Sequence, residues 1–345
     1  MPAVLSKTFH HYREFPPEVR IMVVDEMGTK DRIVFSTISK TSNREAKRSK
    51  NYISDLGLRL SESSVSIHVG HGIDIVDGRE QELGFKMYFE NGQGINYIVC
   101  QNCRNEEVWR TFVEDSIDIV QFGLQHFKNI LKFYQIRIKS LTISVQNPMV
   151  ESDEIDFEIQ SLNNLDSLNI LYDADIRQFL PKIRKTLKEL SILYPTTNRE
   201  HLRTLLDDEV ECEKIYKVQE CLRFPVEVNY QQMLRFSASH VFNYIGQLTE
   251  VDISNFIKSW RNGTLGRNLK HQQWTSTIAG NPILDFRVFA NLLGFPQHNF
   301  TNGQRLEIPH LKNETETAVV YFDNFLNSWV FDTDINHQRQ FGLYP

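Results

Sequence analysis

The sequence predicts an α/β chain made of a short N-terminal helical hairpin, a β-hairpin portion and an irregular α/β solenoid. Three observations carry that reading. Two apolar series at helical spacing fall within the first fifty residues, alternating apolar runs lie between Ser61 and Cys103, and one six-residue pattern recurs from Ile138 onward. At 345 residues the chain has room for two to three such parts, with expected boundaries at 1–52, 53–105 and 106–345.

Pro16 and Pro17 suit the opening of a helix, because the first turn has no use for their missing N–H groups. Val19, Met22, Val23 and Met27 recur at spacings of three and four, and Gly28 suits a left-handed cap. After Thr29-Lys30-Asp31 comes a second apolar series at Ile33, Val34, Phe35 and Ile38, then a basic segment with Arg44, Lys47, Arg48 and Lys50. About forty residues of helical hairpin bury too little apolar surface to stand alone, so this unit should dock on something.

The order Phe15-Pro16, Glu18-Val19, Lys30-Asp31 and Ile38-Ser39-Lys40 resembles the F-box. Phe15 stands where that family has leucine, and Thr41-Ser42-Asn43 replaces its bulky tail. The resemblance implies binding to a Skp-type adaptor, and through it to a cullin. The expected adaptor face is Phe15, Pro16, Val19, Met22, Val23, Ile33, Val34 and Ile38. Read from the residues alone, the same hairpin also serves as an end cap packed on the rest of the chain.

From Ser61, the pattern predicts antiparallel strands. Val65, Ile67 and Val69 alternate, as do Phe85, Met87 and Phe89, and Ile95, Tyr97 and Val99 follow a turn at Asn91-Gly92. Cys100-x-x-Cys103 has the spacing of a zinc half-site that His68 and His71 could complete, but His68 falls on a strand and His71-Gly72 reads as a turn. Between Glu106 and Tyr134 the apolar residues Val108, Trp109, Phe112, Val113, Val120, Phe127, Ile130, Leu131 and Tyr134 fit a helical period.

The pattern aliphatic-x-x-Leu-polar-Ile occurs at Ile138–Ile143, Leu165–Ile170 and Leu187–Ile192, offset by 27 and 22 residues, with a fourth match at Leu248–Ile253. These offsets lie in the leucine-rich-repeat range of about 20 to 29 residues, which suits a strand plus a covering helix. Helical patterns are expected between the strands, at Ile176, Phe179, Leu180 and Ile183 and again at His201, Leu202, Leu205 and Leu206. A terminal hairpin of Ala318–Phe322 and Ser328–Phe331 would cap the last repeat.

The segment Leu248-Thr249-Glu250-Val251-Asp252-Ile253-Ser254-Asn255-Phe256-Ile257-Lys258-Ser259-Trp260, with Gly263 and Leu269 beyond it, resembles the F-box-associated region of the large nematode F-box family. Ile253-Ser254 replaces that family's leucine and asparagine. Phe256, Ile257 and Trp260 should share one side of a short helix. The two resemblances together imply a substrate-recognition subunit of a Skp-cullin-F-box E3 ubiquitin ligase that holds an unnamed target protein. The alternative is a non-catalytic repeat scaffold for protein–protein interaction without ligase coupling.

Composition narrows the other classes. With 38 Lys and Arg against 44 Asp and Glu, a net charge of −6 argues against a general nucleic-acid binder. Four cysteines do not make a disulfide framework, and no run approaches the ~20 apolar residues of a membrane span. Nothing near Met1 reads as a signal peptide, so a cytoplasmic or nuclear location is expected and the Asn-x-Thr sequons at Asn262, Asn299 and Asn313 carry no weight. Asp207, Asp208, Glu209, Glu211 and Glu213 form the densest acidic cluster, which reads as solvated rather than as a catalytic pair. No nucleophile elbow, P-loop or zincin motif is present, so no catalysis and no cofactor are expected.

Overall fold

A computed structural model describes residues 16–25, 27, 44–45, 53–76, 79–92, 94–102, 105–134, 138–146, 162–172, 174–193, 202, 204–207, 209–244, 248–265, 269–275, 285–295, 305–313, 315–323 and 328–333. The chain is mixed α/β, dominated by mixed parallel and antiparallel sheet with few helices among the described residues. It divides into two compact units, residues 1–165 with 174–185, and residues 166–173 with 186–345.

The first unit opens with helix α1 (Pro17–Asp25). Its strands are β1 (Ile53–Ser61), β2 (Ser64–Val76), β3 (Arg79–Gly92), β4 (Ile95–Asn102), β5 (Glu107–Val113) and β6 (Ile138–Gln146), in the spatial order β6-β1-β2-β3-β4-β5. The β1–β6 pair is parallel and the rest of this meander is antiparallel. Helix α2 (Ile119–Tyr134) covers one face. Asp118 starts it by accepting from the amides of Val120 and Gln121 at 3.0 and 3.1 Å.

Beneath α2 the register aligns Leu58 with Ile67, Ile67 with Met87, and Met87 with Cys100, so these residues line one buried face. Leu124, Phe127, Ile130 and Leu131 close it from the helix side, and full burial of each is worth about 1.5–3 kcal/mol over leaving it in water. Gly123 lets the helix approach closely. A Cβ there would stand 2.8 Å from the Val65 Cβ and 3.0 Å from the Phe89 Cγ.

Two expectations shift in this unit. The stretch Glu107–Val113 is strand β5 rather than the start of a helix, because Trp109, Thr111, Phe112 and Val113 pair with β4 and their β-branched and aromatic character suits a pleat. The β3–β4 hairpin is present, but Asn91 and Gly92 still belong to β3 and the bend needs Gly94 at φ +78°. In β4 the residues facing the core are Asn96, Ile98 and Cys100, whereas Ile95 and Tyr97 face away. Asn96 satisfies its buried amide by donating to the Glu114 and Ile117 carbonyls.

The second unit contains β7 (Ser167–Tyr172), β8 (Glu189–Leu193), β9 (Cys221–Glu227), β10 (His240–Tyr244) and β11 (His271–Thr275), all parallel in that order. An antiparallel set β12 (Arg305–Pro309), β13 (Thr317–Asp323) and β14 (Ser328–Asp332) completes the sheet, with β14 beside β11 and β12 outermost. The expected terminal hairpin is the β13–β14 pair. The helices named among the described residues of this unit are α3 (Glu209–Tyr216), α4 (Tyr230–Arg235), α5 (Glu250–Arg261) and α6 (Phe286–Leu292).

The second and third copies of the repeated pattern lie side by side, with Leu168 against Leu190 and Ile170 against Ile192. The backbone just before each strand stacks on its neighbour. The Lys188 amide donates to Asp166 O at 2.8 Å, that of Glu220 to Lys188 O at 2.8 Å, that of His240 to Glu220 O at 2.9 Å, and that of Lys270 to Ser239 O at 2.9 Å. Two more expectations are corrected here. Leu248–Ile253 is not a fourth strand: Thr249 and Asp252 form a reciprocal capping box that starts α5, and Ile253, Phe256, Ile257 and Trp260 are its buried face. The segment around Ile176, Phe179, Leu180 and Ile183, in the first unit, makes two 3-10 turns around Pro181 instead of an α-helix.

Candidate functional site

Of the residues expected to face an adaptor, Pro16 lies just before α1 and is exposed, and Val19 is 38 % exposed on its first turn. Met22 lies on the same helix, and Val23 is half-buried. Val24 is fully buried, which makes it the inward side of α1. Phe15, Ile33, Val34 and Ile38 lie outside the described residues, so the second half of the expected hairpin does too. Helix α1 is tied by an ion pair that sequence reasoning missed: Arg20 Nε sits 3.0 Å from Glu45 Oε1, and Glu45 is almost wholly buried. An arginine and a glutamate twenty-five positions apart give no signal by spacing.

The sheet of the second unit has two unlike faces. On one, Trp274, Trp329 and Phe331 pack under the helices: Phe256 of α5 meets Trp274 and Phe331 edge-on, Trp260 meets Phe331 at 5.1 Å, and Phe289 of α6 meets Trp329 at 5.5 Å. Trp274 donates its indole N–H to the Met233 sulfur of α4. Gln272 and Asn243 share this covered face and satisfy each other, with Gln272 donating to Asn243 Oδ1 at 2.7 Å.

The opposite face carries a row set by strand register: Glu189 beside Cys221, Cys221 beside His240 and His240 beside His271 across parallel pairs, then His271 beside Asp332 across an antiparallel one. His271 Nδ1 lies 3.4 Å from Asp332 Oδ2, and both are buried. Phe242 stands 5.0 Å from the His271 ring on one side and under the Arg223 guanidinium on the other. Val319, Tyr321 and Val330 form a buried cluster on the same face. The residues of this row are up to 143 positions apart, so no motif could have announced them.

The row resembles a nucleophile, base and acid in composition. Burial, more than the opposing pull of Arg223, pushes the Cys221 thiol above its ordinary range, which keeps it protonated and weakly nucleophilic. His240 Nδ1 is engaged by Ser239 Oγ at 3.0 Å and the Glu220 carbonyl at 3.3 Å. Among the described residues no three His, Cys, Asp or Glu side chains converge as a metal site. Cys100 sits on the buried face of β4 while His68 points from the other face of β2, so those two do not share a metal. In the acidic cluster, Glu213 is held below the usual carboxylate range by hydrogen bonds from Lys217 and then Arg235, as a solvated ion-pair network would do.

No helix among the described residues is long and apolar enough to cross a membrane. Comparison with protein-family models, with curated proteins and with solved structures gives no match for this chain.

Proposed function

We propose that this chain is a substrate-recognition subunit of a Skp-cullin-F-box E3 ubiquitin ligase, with α1 as part of the adaptor-binding face. The observation that supports it most is the display on α1: Pro16, Pro17 and Val19 face solvent while Val24 is turned inward. A short helix offering apolar side chains outward suits insertion into an apolar groove, where a few buried anchors dominate affinity. On this reading the parallel strands β7 to β11 belong to a leucine-rich-repeat-like solenoid, and the face bearing Arg223, His240 and Phe242 holds the target. The receptor does no chemistry of its own and acts by raising the target's effective concentration beside the ligase.

The test is equilibrium binding of the full chain to a panel of purified Skp-type adaptors. Val19→Glu should weaken the bound adaptor at least about 100-fold, since a carboxylate buried in an apolar groove without a partner costs several kcal/mol. Because Val19 is already 38 % exposed, the variant should unfold at the same denaturant concentration as the parent. Equal binding by parent and variant would sink the assignment. Full burial of Val24 and the Arg20–Glu45 ion pair favour a second reading, in which α1 only caps a scaffold. That reading predicts no adaptor binding at all.

A further inference from the structure

Strand β5 ends the sheet of the first unit, and among the described residues no strand pairs with its outer edge. Glu107, Val108, Arg110, Thr111 and Phe112 are all exposed, with Phe112 at 71 % and Val108 at 40 %. Helix α2 covers the strands from β1 to β3 and leaves this edge open on both faces. An edge strand presents a row of unpaired N–H and C=O groups, and natural proteins usually blunt it with lysine, proline or a covering element. Residues 107–113 contain neither lysine nor proline. Their one cation, Arg110, is engaged by Glu107 at 2.8 Å and lies over the Tyr97 ring. The register shift opposite Cys100 and Gln101 is the only irregularity in the β4–β5 pair.

Side chains beside the edge complete a docking strip. Phe112 stands opposite Tyr97, and Ile95, 48 % exposed, lies two residues before Tyr97 on the same face. The strip is apolar in the middle and acidic at its ends, where Glu106, Glu107, Glu114 and Asp115 outnumber the single Arg110.

We infer that β5 is a β-augmentation site for an extended segment of a partner protein, one with β-branched or aromatic residues at alternate positions and basic residues at both ends. Seven residues of strand accept a segment about 24 Å long. The charge pattern argues against a second copy of this chain as the occupant. Two antiparallel β5 strands centred on Arg110 would set Glu106 of one against Glu114 of the other, and directly opposed like charges destabilise a strand pair. The inference goes beyond the receptor reading and does not depend on adaptor binding.

The experiment is selection of a random ten-residue peptide display library on the full chain, counter-selected on the Phe112→Lys variant. Phe112 is so exposed that the variant should keep the parent's circular dichroism and adaptor affinity, so failure here is separable from failure of the receptor reading. The expected winners carry alternating β-branched or aromatic residues with flanking Lys or Arg. A synthetic winner should slow amide exchange across residues 107–113 and lose about ten-fold or more in affinity when its central residue is replaced by proline. Val251→Lys, at a position 52 % exposed on α5, should select the same peptides as the parent. The inference is overturned if the parent enriches nothing over Phe112→Lys, if the winners are acidic, or if protection falls away from β5. It is also overturned if the parent is a dimer that Phe112→Lys makes monomeric.

Discussion

Replacing Gly123 by alanine sets two effects of opposite sign against each other. Alanine is the better helix former by about 0.8–1.0 kcal/mol in a helix interior, and it narrows the unfolded ensemble as well. Against that, the new Cβ would stand 2.8 Å from the Val65 Cβ and 3.0 and 3.1 Å from the Cγ and Cβ of Phe89, where ordinary carbon contacts need about 3.5–4.0 Å. These atoms lie at the roots of side chains on paired strands, so they have little freedom to give way. Helix α2 must therefore lift by something approaching 1 Å, loosening Leu124, Phe127, Ile130 and Leu131 from the sheet together. Overpacking of this kind costs about 1–3 kcal/mol, so Gly123→Ala should destabilise the first unit by up to about 2 kcal/mol net, and the larger Gly123→Val by more. Urea unfolding of the full chain followed by amide exchange across residues 119–134 gives the readout. An unchanged or raised midpoint with equal protection of α2 would refute the close-approach argument.

Two other outcomes follow from the same geometry. Thr249→Ala should cost about 1 kcal/mol and raise amide exchange in the first turn of α5, because the Asp252 amide loses its acceptor; Thr249→Asn should restore most of the loss. His126 packs against the Phe89 ring at 5.6 Å, and burial holds its imidazole below its ordinary value of 6.5. The strand faces beneath α2 carry Leu56, Leu58, Leu60, Val65, Ile67, Val69, Phe85, Met87 and Phe89, none of them titratable. The unfolded chain thus takes up a proton near 6.5 that the folded chain resists, so stability is complete above that pH and falls as pH drops below it. The urea midpoint should decline from pH 7.5 to 5.5, and His126→Phe should flatten that slope.

Sequence pattern revealed most where a segment resembles another copy of itself. Leu168, Ile170, Leu190 and Ile192 announced two parallel strands because both carry the same buried pair in the same register. Strands β9 and β10 went unread because Arg223, Pro225, His240 and Asn243 interrupt the aliphatic run, and only stacking on β8 makes strands of them. Leu248–Ile253 matched the repeat by residue type, yet Thr249 and Asp252 three positions apart already spelled a helix start. Val108, Trp109, Phe112 and Val113 satisfy a helical period and a pleat equally well, and pairing with β4 decides between them. The helix bearing Pro17 and Val19 was legible from its opening prolines and apolar spacing. The Cys221, His240, His271 and Asp332 row was not, since register across separate strands assembles it.

Co-expression of the full chain with each of a panel of Skp-type adaptors, beside a version lacking Met1 to Lys50, tests the receptor reading most directly. The account predicts a stoichiometric complex on size exclusion that disappears with the deletion, while the remaining chain keeps its circular dichroism. Absence of a complex with every adaptor, or a complex that survives the deletion, would contradict it.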